Sequence, residues 1–353
     1  MFRKYKIDTN KSYNKTLKDL NMSAKITKIE YYLPETIITN NDLEKEFPNW
    51  PSEKIEKKVG IRERHIVRED ETALDLSLIT GKKILKNYDK DKIDYLLLCT
   101  QSSDYYLPTS ACILQDKLGL KTNIGAFDFN LGCSGFVYGL ALAKSLINSK
   151  IATNILLITS ETYTKHIYSK DRSNRTIFGD AAAATIIEKS EEEQIGEFVL
   201  GTDGSGYKNL IVPNGGLRNR YDINAKEIDD GSGSIRTDNN LYMNGPEIFN
   251  FTIKAVPKVV SETLGKNNTT LDDLDYVVFH QANKYMNEYL REKIGIPKEK
   301  YYLNLLKTGN TVSATIPIAI KEALDNKLIK KGDKVLLVGF GVGYSWGGTI
   351  IKI

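Results

Sequence analysis

The sequence predicts a layered α/β protein that contains two copies of one folding unit. The segment IDYLLLC at residues 93–99 resembles LDYVVFH at residues 274–280, at a spacing of 181 residues. The segment NILLITS at residues 154–160 resembles KVLLVGF at residues 334–340, at a spacing of 180 residues. Two matches at nearly one spacing indicate a duplicated globular unit, because the repeats of solenoid proteins are far shorter.

Strands and helices alternate within each predicted half. The four matched segments and residues 125–129 are short apolar runs bounded by turn residues, which is typical of strands buried on both faces. Residues 134–147 are apolar almost all round and predict a buried helix, with residues 316–324 in the equivalent place of the second half. The chain ends with a predicted glycine-rich turn, Gly341–Gly348, and a strand, Thr349–Ile353.

The chain divides into three predicted parts. Residues 1–22 form a basic N-terminal leader, residues 23–200 form the half that carries a candidate cysteine, and residues 201–353 form the second half. Residues 201–250 are rich in Gly, Asn and Asp and predict a long irregular excursion, a type of segment that is often functional.

Composition and charge exclude several classes of function. The net charge of the 353-residue chain is +4, and residues 1–21 alone hold six basic and two acidic side chains, so the remainder is neutral overall and does not attract nucleic acid. No apolar run approaches the roughly 18 residues of a membrane-spanning helix, and the leader lacks the apolar core of a secretory signal. Three cysteines and three histidines give neither a disulfide framework nor a zinc spacing, which favours a reducing compartment such as the cytoplasm.

Cys133 is the candidate nucleophile, since it lies between a predicted strand and the buried helix over residues 134–147. A helix N-terminus favours the thiolate, and the flanking Gly132 and Gly135 leave room for a ligand beside the sulfur. The alternative is a small core residue, which is the interpretation for Cys99 and Cys112.

His280 is the preferred partner for this thiol among the three histidines. It follows a predicted buried strand directly, at the sheet edge where binding sites form, whereas His65 lies among charged residues and His166 is predicted at the surface. Ser313 lies 180 residues after Cys133 and is therefore its equivalent position in the second half. Because the two halves are related by this repeat, the loop containing Asn310 is expected to face the Cys133 loop. Asn310 then offers an amide donor near the thiol, or it serves as a turn or capping residue.

The segment GFGVGYSWGG at residues 339–348 is not a dinucleotide-binding fingerprint, because a strand rather than a helix follows it. Its bare backbone N–H groups instead suit an oxyanion.

Taken together, GCSG at residues 132–135, HQAN at 280–283, GNTVSA at 309–314 and GVGYSWG at 341–347 resemble the β-ketoacyl-acyl-carrier-protein synthase III enzymes of the thiolase superfamily. The resemblance covers about residues 23–353, with its motifs in family order. It implies an α/β fold of the thiolase-like duplicated five-layer α-β-α-β-α type, a homodimer and a function in lipid metabolism, either in the initiation of fatty-acid biosynthesis or in a specialised acyl pathway.

The resemblance also implies the roles of individual residues. Cys133 accepts an acyl group from a thioester, while His280 and Asn310 hold the thioester carbonyl of a malonyl carrier during decarboxylation. The backbone N–H groups of Cys133 and Val342 form a second oxyanion hole. No cofactor and no metal is implied, since acyl-CoA and the phosphopantetheine of acyl carrier protein are the substrates.

Further positions match the substrate contacts of the family. Leu107 matches a residue that reaches into the acyl pocket of the dimer partner, Asn283 and Gly245 match positions near the pantetheine arm, and Arg172 matches an arginine near the adenine of coenzyme A.

Four positions depart from the family pattern. Lys54 replaces the tryptophan that stacks on adenine, although Trp50 lies four residues earlier, and Lys58 replaces an arginine. Tyr285 replaces another arginine, and Pro246 replaces an asparagine. Lys54 and Lys58 are expected to pair with phosphates. The donor of the acyl group remains open and is either an unusual acyl-CoA or an acyl carrier protein.

Two other functions remain open at this point. One is an acyltransferase of the same fold that passes the acyl group to oxygen, nitrogen or sulfur, although Asn310 would have no enolate to stabilise there. The other is a non-catalytic scaffold, which the presence of Cys133, His280 and Asn310 disfavours.

Overall fold

The structure of the protein, a computed structural model, describes residues 23–229, 231 and 233–353. The predicted leader over residues 1–22 lies outside the described residues. In the described part of the chain the α-helices are α1 (Asn40–Glu46), α2 (Ser52–Val59), α3 (Ala73–Leu85), α4 (Ser110–Lys117), α5 (Gly135–Asn148), α6 (Arg172–Arg175), α7 (Gly245–Lys266), α8 (Lys284–Ile294) and α9 (Thr315–Asp325).

The strands of the first sheet are β1 (Ser23–Tyr32), β4 (Tyr95–Cys99), β5 (Gly125–Phe129), β6 (Asn154–Glu161) and β7 (Ala181–Ser190). Those of the second sheet are β8 (Val199–Thr202), β13 (Tyr276–Phe279), β14 (Lys334–Gly341) and β15 (Ser345–Lys352). Shorter pairs are formed by β2 (Thr36–Thr39) with β3 (Glu63–Ile66), β9 (Leu210–Ile211) with β12 (Tyr242–Met243), and β10 (Ile228–Asp229) with β11 (Ile235–Arg236).

The two large sheets have the same topology. The first has the order β1-β7-β6-β4-β5 and the second the order β8-β15-β14-β13. Each begins with two antiparallel pairs and continues with a parallel pair. In the second sheet, a single parallel bridge between Val277 and Tyr301 occupies the position that β5 occupies in the first sheet. The duplication predicted from the sequence is therefore present in the strand order and direction of both sheets.

The sheets stack around two central helices. Helices α5 and α9 contact strands of both sheets, whereas α3 and α4 cover the outer face of the first sheet and α7 covers that of the second. Side chains alternate accordingly, because Leu97 of β4 packs on the central helices while Leu96 and Leu98 pack on the outer ones. These are the five layers, α-β-α-β-α, that the resemblance implies. The division at residues 200 and 201 stays a prediction, and β8 joins the second sheet from Val199 onward.

Two local predictions are wrong. The glycine-rich turn was expected over Gly341–Gly348, but β15 already begins at Ser345, so Gly347 and Gly348 lie within a strand. A side chain at position 348 would place its Cβ 2.9 Å from Val259 of α7, and the glycine allows the outer helix to approach the sheet. Cys112 was expected in the core, but it is exposed, because it lies on the outward side of α4.

In the part of the chain that the structure describes, no helix is both long and apolar enough to cross a membrane. Among the described residues, the irregular excursion predicted over residues 201–250 spans only residues 203–244, because β8 ends at Thr202 and α7 begins at Gly245; it contains a 3₁₀ helix and two-residue strands.

Candidate active site

Cys133 lies in the turn between β5 and α5 and is 7% exposed. The backbone N–H groups of Val342 and of Cys133 itself lie near its sulfur and favour the thiolate form. Gly341 ends β14 directly beside it, and a Cβ at that position would lie 2.8 Å from the sulfur. The two N–H groups that the resemblance assigns to an oxyanion hole therefore both lie beside the Cys133 thiol.

The thiol of Cys133 is protonated at rest, which differs from the thiolate expected at a helix N-terminus. Burial, reinforced by the nearby carboxyl group of Glu161, raises the pKa of Cys133 to about 12. The two backbone N–H groups lower this pKa, but the loss of hydration outweighs them.

This pKa predicts how Cys133 reacts with iodoacetamide. Since the thiolate is the nucleophile, the alkylation rate should rise about tenfold for each pH unit between pH 7 and 9, without a plateau. The measurement is intact mass against time in a Cys112→Ala background, because Cys112 is exposed and Cys99 is buried. A rate that levels off below pH 8 would contradict the assignment of a protonated resting thiol.

His280 is held at the end of β13 by contacts on several sides. Its backbone N–H donates to the carbonyl oxygen of Val338 at 2.8 Å, and its ring packs edge-on against Phe340 with centroids 5.6 Å apart. The Nδ1 atom lies 2.8 Å from Oγ1 of Thr315 at the start of α9. Burial lowers the pKa of His280 to about 3, so the imidazole is neutral at physiological pH.

Asn310 is oriented by its own backbone loop. Its Oδ1 accepts a hydrogen bond from the N–H of Val312 at 2.9 Å, which turns Nδ2 towards Nε2 of His280 at 3.5 Å. Val312 has a φ of 55°, a conformation that is unfavourable for a β-branched residue, and the Asn310 side chain helps to hold it there. The amide of Asn310 thus presents a donor rather than an acceptor to the imidazole.

These three side chains line one buried cavity. Cys133, His280 and Asn310 surround a space of about 140 Å³ whose other walls are mainly apolar. Gly245 and Asn283 line both this cavity and a wider surface groove of about 720 Å³, so the two spaces adjoin. Two adjoining spaces, one of which contains the thiol, suit a thioester on a long flexible arm.

The cationic residues predicted near this passage gather around Trp50. The ammonium groups of Lys54 and Lys58 lie 4.6 and 4.9 Å from the centroid of the indole ring, and the guanidinium carbon of Arg172 lies 4.5 Å from it. Lys58 also lines the surface groove, as do Pro246 and Tyr285. Trp50 lies within this cationic cluster, a relation that the sequence analysis did not predict.

Leu107 is not near this groove. It is 82% exposed and borders a separate depression on the surface, together with Tyr163, His166 and Val342. His166 was predicted at the surface, but it is only partly accessible there, and burial lowers its pKa. Val342 borders this depression, and its backbone N–H interacts with Cys133, so this residue lies between the depression and the thiol.

Two functional candidates were missed by sequence reasoning. Thr315 contacts His280, and Glu161, at the end of β6, accepts hydrogen bonds from the backbone N–H of Gln101 at 3.0 Å and the hydroxyl group of Ser313 at 2.9 Å. Burial raises the pKa of Glu161 to about 8. Ser313 is the position that the internal repeat pairs with Cys133, and it could have directed attention to this link between the halves.

Comparison with solved structures places the fold in the thiolase superfamily of acyltransferases. A crystal structure of a 3-oxoacyl-(acyl-carrier-protein) synthase III is 44% identical, covers 94% of this chain and 100% of its own, and superposes with a TM-score of 0.92. A 3-oxoacyl-(acyl-carrier protein) synthase from Burkholderia xenovorans is 36% identical with 94% of both chains covered and a TM-score of 0.87. The priming β-ketosynthase of the R1128 polyketide pathway is 26% identical, with 94% of this chain and 96% of its own covered and a TM-score of 0.80.

Sequence comparison gives the family. Residues 127–204 match 3-oxoacyl-[acyl-carrier-protein] synthase III, and residues 264–353 match its C-terminal region. The β-ketoacyl-[acyl-carrier-protein] synthase III of Clostridium perfringens is 37% identical over 94% of this chain and 99% of its own length. The enzyme of the same name from Fusobacterium nucleatum is 38% identical over 91% of this chain and 96% of its own. The chain therefore belongs to the β-ketoacyl-acyl-carrier-protein synthase III family, and it is an enzyme.

Proposed function

We propose that this enzyme joins an acyl thioester starter to malonyl-acyl carrier protein by a decarboxylative Claisen condensation through an acyl-Cys133 intermediate. The observation that carries this proposal is the convergence of Cys133, His280 and Asn310 on one cavity that adjoins a surface groove. The names of the relatives, which refer to the same reaction class, support it.

The first half-reaction transfers the acyl group to sulfur. The sulfur of Cys133 attacks the thioester carbonyl carbon, a new carbon–sulfur bond forms, and the bond to the carrier sulfur breaks. The carrier leaves as a thiol that has taken up the Cys133 proton. The N–H groups of Cys133 and Val342 are the proposed donors to the oxyanion, because both lie beside the sulfur that attacks the carbonyl carbon.

The second half-reaction forms the carbon–carbon bond. The malonyl carboxylate leaves as carbon dioxide, and the electron pair of the broken bond produces an enolate whose charge lies on the thioester oxygen. Neutral donors from His280 and Asn310 stabilise this charge. The carbanion attacks the acyl-Cys133 carbonyl, and the released cysteine sulfur takes up a proton from solvent.

One experiment tests the proposed function as a whole. Incubation with acetyl-CoA should add one acetyl group to Cys133 by intact mass, and subsequent addition of malonyl-acyl carrier protein should remove it with release of one carbon dioxide per product. Acetylation without carbon dioxide release would instead indicate simple acyl transfer to another acceptor. Absence of an adduct with every acyl-CoA and acyl carrier protein tested would indicate a non-catalytic scaffold.

The proposed substrate arm lies along the groove. Gly245 and Asn283 line both spaces, which supports contacts with the pantetheine arm, and the cationic cluster of Lys54, Lys58 and Arg172 around Trp50 supports recognition of phosphate groups beside the groove. Because three cations surround the indole ring of Trp50, stacking of adenine on it is less favourable than in the family pattern. We therefore propose that the cationic cluster preferentially binds the phosphate of an acyl carrier protein.

Charge reversal tests this part of the proposal. The Lys54→Glu/Lys58→Glu double variant should lower kcat/KM for malonyl-acyl carrier protein about tenfold or more at low salt, and less in 0.5 M salt, because exposed charges are screened. Acyl-pantetheine thioesters without phosphate should react at the wild-type rate. The matched control is Lys330→Glu/Lys331→Glu, since these exposed lysines precede β14 at the end of the strand remote from Cys133. Equal losses in both double variants would argue against a phosphate site.

Three further features follow as proposals. The high exposure of Leu107 supports a homodimer in which this residue enters the acyl pocket of the partner subunit. Acyl carrier protein and acyl-CoA are the proposed partners, and the proposed reaction uses only these thioesters, without a cofactor. The free cysteines Cys99, Cys112 and Cys133 support a cytoplasmic location.

A further inference from the structure

The side chain of Thr315 occupies a position between two hydrogen-bond partners next to the candidate active site. Its Oγ1 lies 2.8 Å from Nδ1 of His280 and 3.0 Å from the carbonyl oxygen of Val312. Both Thr315 and His280 are 2% exposed. A threonine hydroxyl has one proton, so it can donate to Nδ1 or to the Val312 carbonyl, but not to both.

The direction of this hydroxyl, together with the backbone of Val312, which also interacts with the imidazole, sets the tautomer of His280. If the hydroxyl donates to the Val312 carbonyl, it can only accept from Nδ1, which then carries the imidazole proton. Nε2 in that arrangement has a free lone pair and accepts from the amide of Asn310. If the hydroxyl donates to Nδ1 instead, the proton of the neutral imidazole is on Nε2 and points towards the Asn310 amide.

The orientation of Asn310 makes these two arrangements chemically unequal. Its Nδ2 faces Nε2 at 3.5 Å, because its Oδ1 is held by the N–H of Val312. In the first arrangement Asn310 donates to His280, and only one donor is left for a substrate oxygen. In the second arrangement two N–H groups converge, and an oxygen that accepts from both relieves their repulsion.

We propose that Thr315 is a positioning residue whose hydroxyl donates to Nδ1 of His280 during condensation, so that the Nε2–H tautomer faces the thioester oxygen. This inference rests on the proposed function, because it assigns the tautomer needed for enolate stabilisation. The two tautomers contain the same number of protons, so the exchange between them consumes no acid or base. Thr315 acts through His280 and does not touch the reacting atoms.

Valine and serine variants of Thr315 test the proposal. Thr315→Val keeps the shape of the side chain but removes the hydroxyl, and it should lower kcat for condensation about tenfold or more while KM for malonyl-acyl carrier protein changes less than about threefold. Acetylation of Cys133 by acetyl-CoA should stay within about threefold of wild type, which also shows that the variant is folded. Thr315→Ser retains the hydroxyl and should restore kcat to within about threefold of wild type.

A spectroscopic measurement separates the tautomer from a merely structural effect. The chain has three histidines, so ¹⁵N-histidine labelling gives few ring signals, and comparison with a His280→Ala sample assigns those of His280. With a malonyl-pantetheine amide as the probe, wild type and Thr315→Ser should show protonated Nε2 and unprotonated Nδ1. Thr315→Val should show a reduced Nε2–H population.

The outcomes distinguish the two levels of the proposal. Wild-type turnover and an unchanged tautomer in Thr315→Val would overturn the role of Thr315, provided that His280→Ala still lowers condensation by about 10²-fold or more. Loss of turnover in both the valine and the serine variants, with no change of tautomer, would also overturn it. If His280→Ala itself condensed substrates at the wild-type rate, the proposed function would fail instead.

Discussion

Cys133→Ala is expected to abolish both acyl transfer and condensation, with a loss of more than about 10³-fold in each, because no other group can form the covalent intermediate. The expected mass shift with acetyl-CoA should disappear completely in this variant. The other cysteines cannot substitute, since Cys99 is buried within β4 and Cys112 lies at the outer surface of α4. The measurement combines intact mass with radiolabelled product formation.

Cys112→Ala provides the matched control. It removes a thiol of the same kind from an exposed position on α4, so acetylation and condensation should both continue at the wild-type rate. The Cys133→Ala change removes only one buried sulfur atom, which should cost about 1 kcal/mol of unfolding free energy, and the melting temperature should stay close to that of wild type. Acetylation that persists in Cys133→Ala but is lost in Cys112→Ala would refute the assignment of the nucleophile.

The duplicated fold is predictable because its signal is carried by local patterns. Each buried strand is a short apolar run, and the runs of the two halves match at one spacing, so the order of the elements follows from the sequence. The same spacing predicts that the loops of Cys133 and Asn310 face each other, and both side chains line one cavity. In the second half, a single bridge at Tyr301 stands in place of a fifth strand. The sequence could not predict this reduction, since it depends on how the edge of the sheet packs.

The protonation states and the hydrogen-bond partners of the side chains in the site depend on how the surrounding residues pack. Sequence patterns carry little information about this packing. The helix N-terminus beside Cys133 predicts a thiolate, but the surrounding residues exclude water and raise the pKa of the thiol instead. Thr315 lies 35 residues after His280, and only the placement of α9 against β13 brings its hydroxyl to the imidazole. Cys112 was assigned to the core from its apolar neighbours, although the helix turns it outward.

Variants of His280 and Asn310 should separate the two half-reactions. Each residue is proposed to donate to the enolate oxygen, and loss of one such donor typically costs about 10²–10³ in rate. Condensation and carbon dioxide release should therefore fall by about that factor in His280→Ala and Asn310→Ala, while acetylation of Cys133 changes less than about tenfold. Rapid-quench measurement of both steps on the same samples makes the comparison direct.

Asn310→Asp shows whether the amide donor or the loop geometry is responsible. Aspartate keeps an oxygen that accepts from the N–H of Val312, so it preserves the contact that stabilises this residue at its φ of 55°. It replaces the Nδ2 donor with a second oxygen, whose negative charge would repel the enolate. We therefore expect Asn310→Asp to condense substrates no faster than Asn310→Ala, although its loop is the better ordered of the two. Recovery of condensation in Asn310→Asp, or equal losses of acetylation and condensation in either variant, would mean that Asn310 supports the loop and does not stabilise the enolate.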